Sequence, residues 1–293
     1  MMRRLLVLAT ALITVLGLGT QVAAAGPPSH RTPDLVALGD SFAAGTGNTP
    51  YSDQACARSE SAAYSELLVR LRLVTLQAFE ACKGATTATT IPQVAAITAD
   101  TDIVTVQALG NDFYFSTLAA YCLGAVPDAT CHRDQLLAPI GETVQQLLDS
   151  IPVDAPAKLD ALYGAIKARQ ATVGSNARVI VVDYGNPFPA PGGRVGPFCP
   201  YMDSEELGVA TDFANSLNVA LKQASNRPNF TFANAAPRFR GLDVCGFAPA
   251  FYRVGLPGLS LPSVLPNGDP GLFHPNRVGQ GIYAGVLAGR LYS

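Results

Sequence analysis

The chain has 293 residues, of which 48% are hydrophobic and 14% are charged, and its net charge at pH 7 is −2. Ordinary soluble domains carry about 25% charged residues, so uncharged polar residues, glycine and proline must form much of this surface. The chain lacks the basic excess that marks nucleic-acid-binding proteins. We therefore expect no nucleic-acid partner.

The N-terminal segment predicts a secretory signal peptide. A positive start with Arg3 and Arg4 precedes an apolar stretch at 5–18 and three alanines at 23–25. The apolar stretch is shorter than the about 20 residues of a membrane-spanning helix, although an uncleaved membrane anchor is the open alternative. We expect a secreted protein without stable membrane insertion. The predicted segments are a signal peptide at 1–25, a flexible leader at 26–33 and one domain at 34–293.

Short runs of β-branched and apolar residues then alternate with segments of helical periodicity. The predicted strands are 35–38, 72–78, 102–109, 178–184 and 229–233. The predicted helices are 62–70, 91–98, 134–151, 157–173, 204–225 and one within 275–291. The strands at 104–109 and 179–182 are apolar throughout, as expected for strands covered on both faces. The alternation predicts an α/β fold, a three-layer α/β/α sandwich with a central parallel sheet.

The six cysteines predict three disulfides, because an exported chain meets an oxidising environment. Fifteen pairings are possible, and chain order favours Cys56–Cys82, Cys122–Cys131 and Cys199–Cys245. The last bridge would join two loops rich in glycine and proline, at 185–201 and 246–270, which we expect at the surface. No CxxC motif occurs, and zinc-ligand spacing is absent. We expect no metal site and no cofactor.

A serine and a histidine from opposite ends of the chain are the candidate catalytic pair. Ser41 follows the first predicted strand, and the reactive groups of a parallel sheet gather at the carboxyl ends of its strands. His274 stands before Pro275, a residue suited to the first turn of the terminal helix. The other histidines, His30 and His132, lie in the leader and in a small cysteine-closed loop. Taken alone, Ser41 is equally typical of a helix N-cap and His274 of a packed residue, but together they predict a nucleophile and its base.

Donors for a developing oxyanion are also present in the sequence. The backbone N–H groups of Ser41 and Gly84 and the side-chain amide of Asn111 are the candidates. A Gly-Asn-Asp turn taken alone is more often only a turn. We interpret Asp40 and Asp112, which adjoin these residues, as turn and helix-start residues.

In this order, four segments resemble the SGNH hydrolases, also called the GDSL lipase/esterase family. They are Gly39-Asp40-Ser41, Gly84, Gly110-Asn111-Asp112 and His274-Pro275-Asn276. With export and six cysteines, the chain is most similar to the secreted actinobacterial esterases and lipases of that family, in which the cysteines pair sequentially. The resemblance implies the same three-layer fold, Ser41 as nucleophile and His274 as general base. It also implies an oxyanion hole formed by Ser41, Gly84 and Asn111.

The chain departs from the family pattern at one position. Many members have an aspartate three residues before the histidine, where this chain has Gly271. Either Asp269 reaches the imidazole, or a backbone carbonyl near Gly271 accepts the Nδ1–H, as in relatives that use a Ser–His dyad. We favour the carbonyl, because an acceptor needs no charge to fix the imidazole tautomer.

Aromatic residues suggest where a substrate binds. Phe113-Tyr114-Phe115 follow the Asn111 turn and either line an acyl-chain groove or serve in ordinary packing, and the loop at 247–252 is a candidate for the second wall. We predict a monomeric ester hydrolase that cleaves carboxylic esters, including lipid esters, of aliphatic acids. The alternatives are a carbohydrate deacetylase, a phospholipase and a secreted binding protein without catalysis. The lack of tryptophan disfavours the deacetylase, and the lack of a basic patch disfavours the phospholipase.

Overall fold

The computed structural model describes residues 31–122, 131–137, 140–189, 203–252 and 271–291, excluding the side chains of 119–122. Thr32–Ser293 form one compact unit. In chain order its helices and strands are β1 (Asp34–Gly39), α1 (Ser41–Ala44), β2 (Tyr51–Asp53), β3 (Arg58–Ser59), α2 (Tyr64–Arg70), β4 (Thr75–Phe79), α3 (Thr87–Thr90), β5 (Ile103–Gln107), α4 (Phe115–Cys122), β6 (Leu136–Leu137), β7 (Glu142–Thr143), α5 (Val144–Val173), β8 (Arg178–Val182), α6 (Ser204–Ala224), β9 (Phe230–Ala233) and α7 (Arg277–Ala288). Short 3₁₀ helices occur at Ile91–Ala96, Gly110–Phe113 and Ala236–Phe239.

The five strands of the main sheet are all parallel and follow the order β4-β1-β5-β8-β9. Helix α2 packs on α7, and α5 packs on α6. The predicted three-layer α/β/α sandwich with a parallel sheet is therefore confirmed. Its three central strands consist largely of apolar residues, because both of their faces are buried by helices. All five predicted strands occur, with small differences at their ends.

The largest difference from the predicted elements lies between 134 and 173. Two helices were expected there, but the first residues form the β6–β7 hairpin and the rest form the single helix α5, which includes Pro152 and Pro156. Both prolines lie on the exposed face of α5, where water can solvate the carbonyls that lose an N–H partner. Ile151 and Ala155 hold the opposite face in the core. Burial of the opposite face thus keeps α5 continuous across Pro152 and Pro156, although proline normally ends a helix.

Two further expectations are corrected by the structure. The predicted helix at 91–98 is a 3₁₀ helix, Ile91–Ala96, with Pro92 near its start. The first residues of the expected surface loop at 185–201 are mostly buried, including Gly185, Pro187 and Phe188. The remainder of that loop, 190–201, and most of the loop at 246–270 lie outside the described residues.

The Cys56–Cys82 disulfide is present as predicted. Cys131 and Cys245 are also disulfide-bonded. The side chain of Cys122 and all of Cys199 lie outside the described part of the chain, so their two pairings stay predictions. Within the ranges given above, no helix is long and apolar enough to cross a bilayer.

Candidate active site

A sharp turn at Gly39 presents Ser41 at the carboxyl end of β1. The backbone φ of Gly39 is +139°, and a Cβ at this position would lie 2.2 Å from the carbonyl oxygen of Gln107 on β5. The Gln93 side chain bonds both backbone groups of Gly39, at 2.8 and 3.0 Å. Asp40 then caps α1 by accepting the N–H of Phe42. Ser41 is the first residue of this short helix, so its position depends on a turn that only glycine accommodates well.

The structure brings the two predicted catalytic side chains together. Nε2 of His274 lies 2.7 Å from Oγ of Ser41, although 233 residues separate them in the sequence. Both residues are buried, and the imidazole contacts the rings of Phe42 and Phe115, with ring centroids 5.1 and 6.0 Å away. The distance suits proton transfer from the serine hydroxyl to the imidazole.

A tight backbone turn orients the imidazole. Nδ1 of His274 lies 3.0 Å from the carbonyl oxygen of Leu272. The acceptor is thus a backbone carbonyl near Gly271, as predicted, whereas the carbonyl of Gly271 itself accepts the backbone N–H of His274. The reason is local geometry, because Phe273 has a left-handed φ of 63° and the turn presents the Leu272 carbonyl to the ring. The alternative acceptor, Asp269, lies outside the described residues.

The predicted oxyanion donors gather near the same strand end. Asn111 lines the pocket that contains Ser41, and its Nδ2 donates to the carbonyl of Ala85 at 3.0 Å. One N–H of this amide thus holds the loop of Gly84, and the second remains for a substrate. The loop is also attached to β1, because Cys82 donates its N–H to the Gly39 carbonyl. Among the described groups, the N–H groups of Ser41 and Gly84 have no hydrogen-bond acceptor.

Two polar side chains that the sequence did not single out join the serine and histidine segments. Nδ2 of Asn48 donates to the carbonyls of Gly45 and Pro275, at 3.0 and 2.9 Å, and its Oδ1 accepts the hydroxyl of Tyr252. Nε2 of Gln280, on α7, donates to the carbonyl of Phe42 at 2.9 Å. Their only sequence signal is the polar residue type, since the partners that connect the two segments lie more than 200 residues away.

An apolar pocket with a cavity volume of about 30 Å³ adjoins Ser41. Its walls come from α1, the Gly110 turn, α4, the segment after β8, and α6. The apolar side chains in the wall are Phe42, Phe115, Leu118, Pro187, Phe188, Ala210, Phe213, Ala214 and Leu217. The lining therefore favours an aliphatic group next to the serine.

The aromatic residues expected at this pocket contribute unequally. Phe115 lines it, whereas Phe113 is buried and Tyr114 is 48% exposed, and neither is part of the wall. The loop at 247–252 was expected to form the second wall, but its described residues are absent from the lining. Phe251 packs instead on Phe239, with ring centroids 5.0 Å apart, and Phe247 is 83% exposed. Helix α6 forms this wall in its place.

The acidic neighbours of the site have structural partners. Asp40 is the N-cap of α1, as predicted, and burial raises the pKa of its carboxyl from 3.8 to about 7, against hydrogen bonds from Tyr184 and Phe42. Asp112 accepts the N–H and the hydroxyl of Thr87, both at 2.7 Å. It therefore anchors the start of α3, not its own 3₁₀ turn.

His132, the second histidine in the described ranges, has its own acidic partner. Nδ1 of His132 lies 3.1 Å from a carboxylate oxygen of Glu205, and this contact raises the pKa of the exposed imidazole. In the ranges that the structure covers, no three histidine, cysteine or carboxylate side chains are grouped to hold a metal ion.

Comparisons with known proteins agree with this geometry. The GDSL-like Lipase/Acylhydrolase family matches residues 37–282. A lipase from Streptomyces rimosus is 29% identical over 239 residues, which cover 80% of this chain and 82% of the relative. Lipase 1 from Streptomyces coelicolor is 27% identical over 275 residues, which cover 92% and 91%.

Solved structures give the same result for the fold. The crystal structure of an extracellular lipase from Streptomyces rimosus has a TM-score of 0.70 at 25% identity, and the match covers 88% of this chain and 99% of that one. A phospholipase A1 from Streptomyces albidoflavus has a TM-score of 0.68 at 23% identity, with coverage of 88% and 99%. The second likeness concerns the fold alone.

Proposed function

The chain belongs to the GDSL-like lipase/acylhydrolase family and is a carboxylic ester hydrolase, and on this basis we propose that Ser41 and His274 carry out the hydrolysis. The observation that supports this assignment is the 2.7 Å contact between Ser41 Oγ and His274 Nε2 beside an apolar pocket. A serine in hydrogen-bonding reach of an oriented imidazole is the arrangement that nucleophilic catalysis requires.

The reaction follows from these positions. His274 takes the proton of Ser41 as Oγ attacks the carbonyl carbon of the ester, and the N–H groups of Ser41 and Gly84 and the Asn111 amide stabilise the negative oxygen. His274 then gives the proton to the departing alcohol, which leaves an acyl group on Ser41. A water molecule, activated by the same imidazole, releases the acid. The Leu272 carbonyl holds Nδ1–H, which leaves Nε2 free to accept a proton.

The pocket supports an aliphatic acyl chain as the part of the substrate next to the serine. Its wall is formed mainly by leucine, alanine, phenylalanine and proline side chains. Transfer of each methylene from water into such a pocket is worth about 0.8 kcal/mol. Because apolar side chains form most of this lining, the pocket favours lipid or other acyl esters over acetylated carbohydrates.

The proposal includes export and action as a monomer. The basic start, the apolar stretch and the three alanines support a signal peptide at 1–25, and one relative is named an extracellular lipase. Both Ser41 and His274 come from one chain, which supports a monomeric enzyme.

The test is hydrolysis of p-nitrophenyl esters from acetate to dodecanoate by the wild-type protein, with Ser41→Ala as the variant. We expect higher kcat/KM for medium-chain esters than for acetate, and a loss of at least about 10⁴-fold in kcat in Ser41→Ala. Ser65→Ala is the matched control, because Ser65 is a buried serine in α2 outside the site. A fully active Ser41→Ala would refute the assignment of the nucleophile, and a strict preference for acetate would refute the acyl-chain proposal.

A further inference from the structure

One buried hydroxyl bonds to the residue that precedes Ser41 and to the residue that precedes Asn111. Tyr184 follows β8 at the carboxyl end of the sheet, and its Oη donates to Oδ2 of Asp40 at 2.5 Å. The same oxygen accepts the backbone N–H of Gly110 at 3.1 Å. Tyr184 therefore joins two positions that are 70 residues apart in the sequence and that follow the neighbouring strands β1 and β5.

Each partner of Tyr184 adjoins a residue that acts on the substrate in the proposed mechanism. Asp40 is the N-cap of α1 and directly precedes Ser41, whose N–H and Oγ both take part. Gly110 directly precedes Asn111, whose amide is a proposed oxyanion donor. A change in the separation of Asp40 and Gly110 would therefore change the separation of the nucleophile and this donor.

Tyr184 is itself held firmly in place. Its backbone N–H and carbonyl both bond to the side chain of Asn218 on α6, each at 2.8 Å. Its ring meets the ring of Phe42 edge to face, with centroids 5.1 Å apart. Burial raises the pKa of Tyr184 well above its ordinary value of 10, so the hydroxyl keeps its proton and is the donor to Asp40.

We propose that Tyr184 is a positioning residue whose hydroxyl sets the distance between Ser41 and the Asn111 amide, and so the geometry of the oxyanion site. The inference rests on the proposed function. It assigns to the hydroxyl a role in the transition state and to the aromatic ring a role in the wall of the acyl pocket. Tyr184→Phe separates the two roles, because it removes the oxygen and keeps the ring.

The experiment compares wild type, Tyr184→Phe and the control Tyr283→Phe on p-nitrophenyl butyrate. Tyr283 is also fully buried and its hydroxyl also accepts a backbone N–H, from Gly185 at 2.6 Å, but it does not contact Asp40 or Gly110. We expect kcat to fall about 10- to 100-fold in Tyr184→Phe, since displacement of a reacting group by about 1 Å costs up to 10²-fold. KM should stay within about 3-fold, because the apolar contacts of the ground state remain. In Tyr283→Phe both constants should stay close to those of the wild type.

A second measurement separates positioning from general loss of stability. An alkyl boronic acid forms a tetrahedral adduct with an active serine, and its Ki should rise in Tyr184→Phe in parallel with the fall in kcat/KM. The affinity for butyrate, which resembles the ground state, should not change. The inference is overturned if Tyr184→Phe retains wild-type kcat, or if Tyr283→Phe loses as much activity. A wild-type protein that hydrolyses no ester would instead refute the proposed function.

Discussion

At the scale of single residues, the catalytic arrangement depends on backbone positions as much as on reactive side chains. Gly39 ends β1 with a φ that other residues rarely adopt, and the oxygen of Gln107 occupies the place of its Cβ. This turn brings Ser41 back over the strand ends, where His274 meets it. The glycine is therefore required by geometry, whatever chemistry the neighbouring serine performs.

Gly39→Ala should destabilise the protein by more than about 3 kcal/mol, because backbone strain of about 1–3 kcal/mol adds to a steric clash. The free energy of unfolding, from urea titration followed by circular dichroism, measures the effect. Gly164→Ala is the control, since this glycine lies in α5 and a Cβ there meets no atom within 4 Å. It should stabilise the protein by about 0.5–1 kcal/mol. Equal stability of Gly39→Ala and the wild type would contradict this account of the turn.

The reactive residues were easier to predict than the residues that hold them. Ser41, Asn111 and His274 stand next to turn or helix-start signals and carry chemistry that few residue types offer, so their local sequence identifies them. Asn48 and Tyr184 carry no such signal. Their importance lies in hydrogen bonds to partners 227 and 144 residues away, which become visible only when the strands are assembled.

At the scale of secondary-structure elements, α6 is the helix that decides what fits beside Ser41. Its buried side chains pack on the sheet, and one stripe that includes Ala210, Phe213, Ala214 and Leu217 faces the pocket. Two of these residues are alanines one turn apart, which leave space for an acyl chain. The amphipathic pattern predicted the helix, but it did not distinguish residues that face the core from residues that face the substrate.

Ala214→Phe should fill part of this pocket and shorten the preferred acyl chain. We expect kcat/KM for p-nitrophenyl octanoate to fall at least about 10-fold, while kcat/KM for the acetate ester changes less than about 3-fold. Gln223→Phe adds the same side chain to an exposed position of α6 and should leave the ratio unchanged. If both variants keep the wild-type preference, the chain does not bind against α6.

Among the elements, periodicity predicted the sheet better than it predicted the helix boundaries. A strand that is buried on both faces has a short, continuous run of apolar residues, and this pattern is typical of the centre of a parallel sheet. In α5, by contrast, Pro152 and Pro156 suggested a break that burial of the opposite face overrides. The β6–β7 hairpin has only two residues in each strand, too few for a pattern to develop.

At the scale of the whole molecule, a buried carboxyl at the end of β8 links stability to pH. Asp183 accepts the backbone N–H groups of Ala235 and Ala236, each at 2.9 Å. Burial raises its pKa from 3.8 to about 6, in opposition to these hydrogen bonds. Between these two values the folded protein binds the proton more tightly than the unfolded chain does. Proton binding by Asp183 therefore stabilises the folded protein fully below pH 3.8, and this contribution to the free energy of unfolding is lost as the pH rises through 6.

The difference in free energy of unfolding between the wild type and Asp183→Asn should reveal this dependence. As the pH rises from about 4 to about 7, the wild type should lose about 2 kcal/mol relative to the variant, because each pKa unit corresponds to about 1.4 kcal/mol and part of the shift lies below pH 4. Urea titrations at a series of pH values, with disulfides intact, measure the difference. The raised pKa would be contradicted if the difference in free energy of unfolding did not change with pH, or if it grew in favour of the wild type as the pH rises.

The most direct test of the central claim is covalent labelling with an alkyl p-nitrophenyl phosphonate, followed by peptide mass spectrometry. We predict one phosphonyl group per protein, attached to Ser41, with loss of esterase activity in proportion to labelling. His274→Ala should slow the labelling by at least about 10³-fold, since the serine then has no base. Labelling at another residue, or undiminished labelling of Ser41 in His274→Ala, would contradict the Ser41–His274 mechanism.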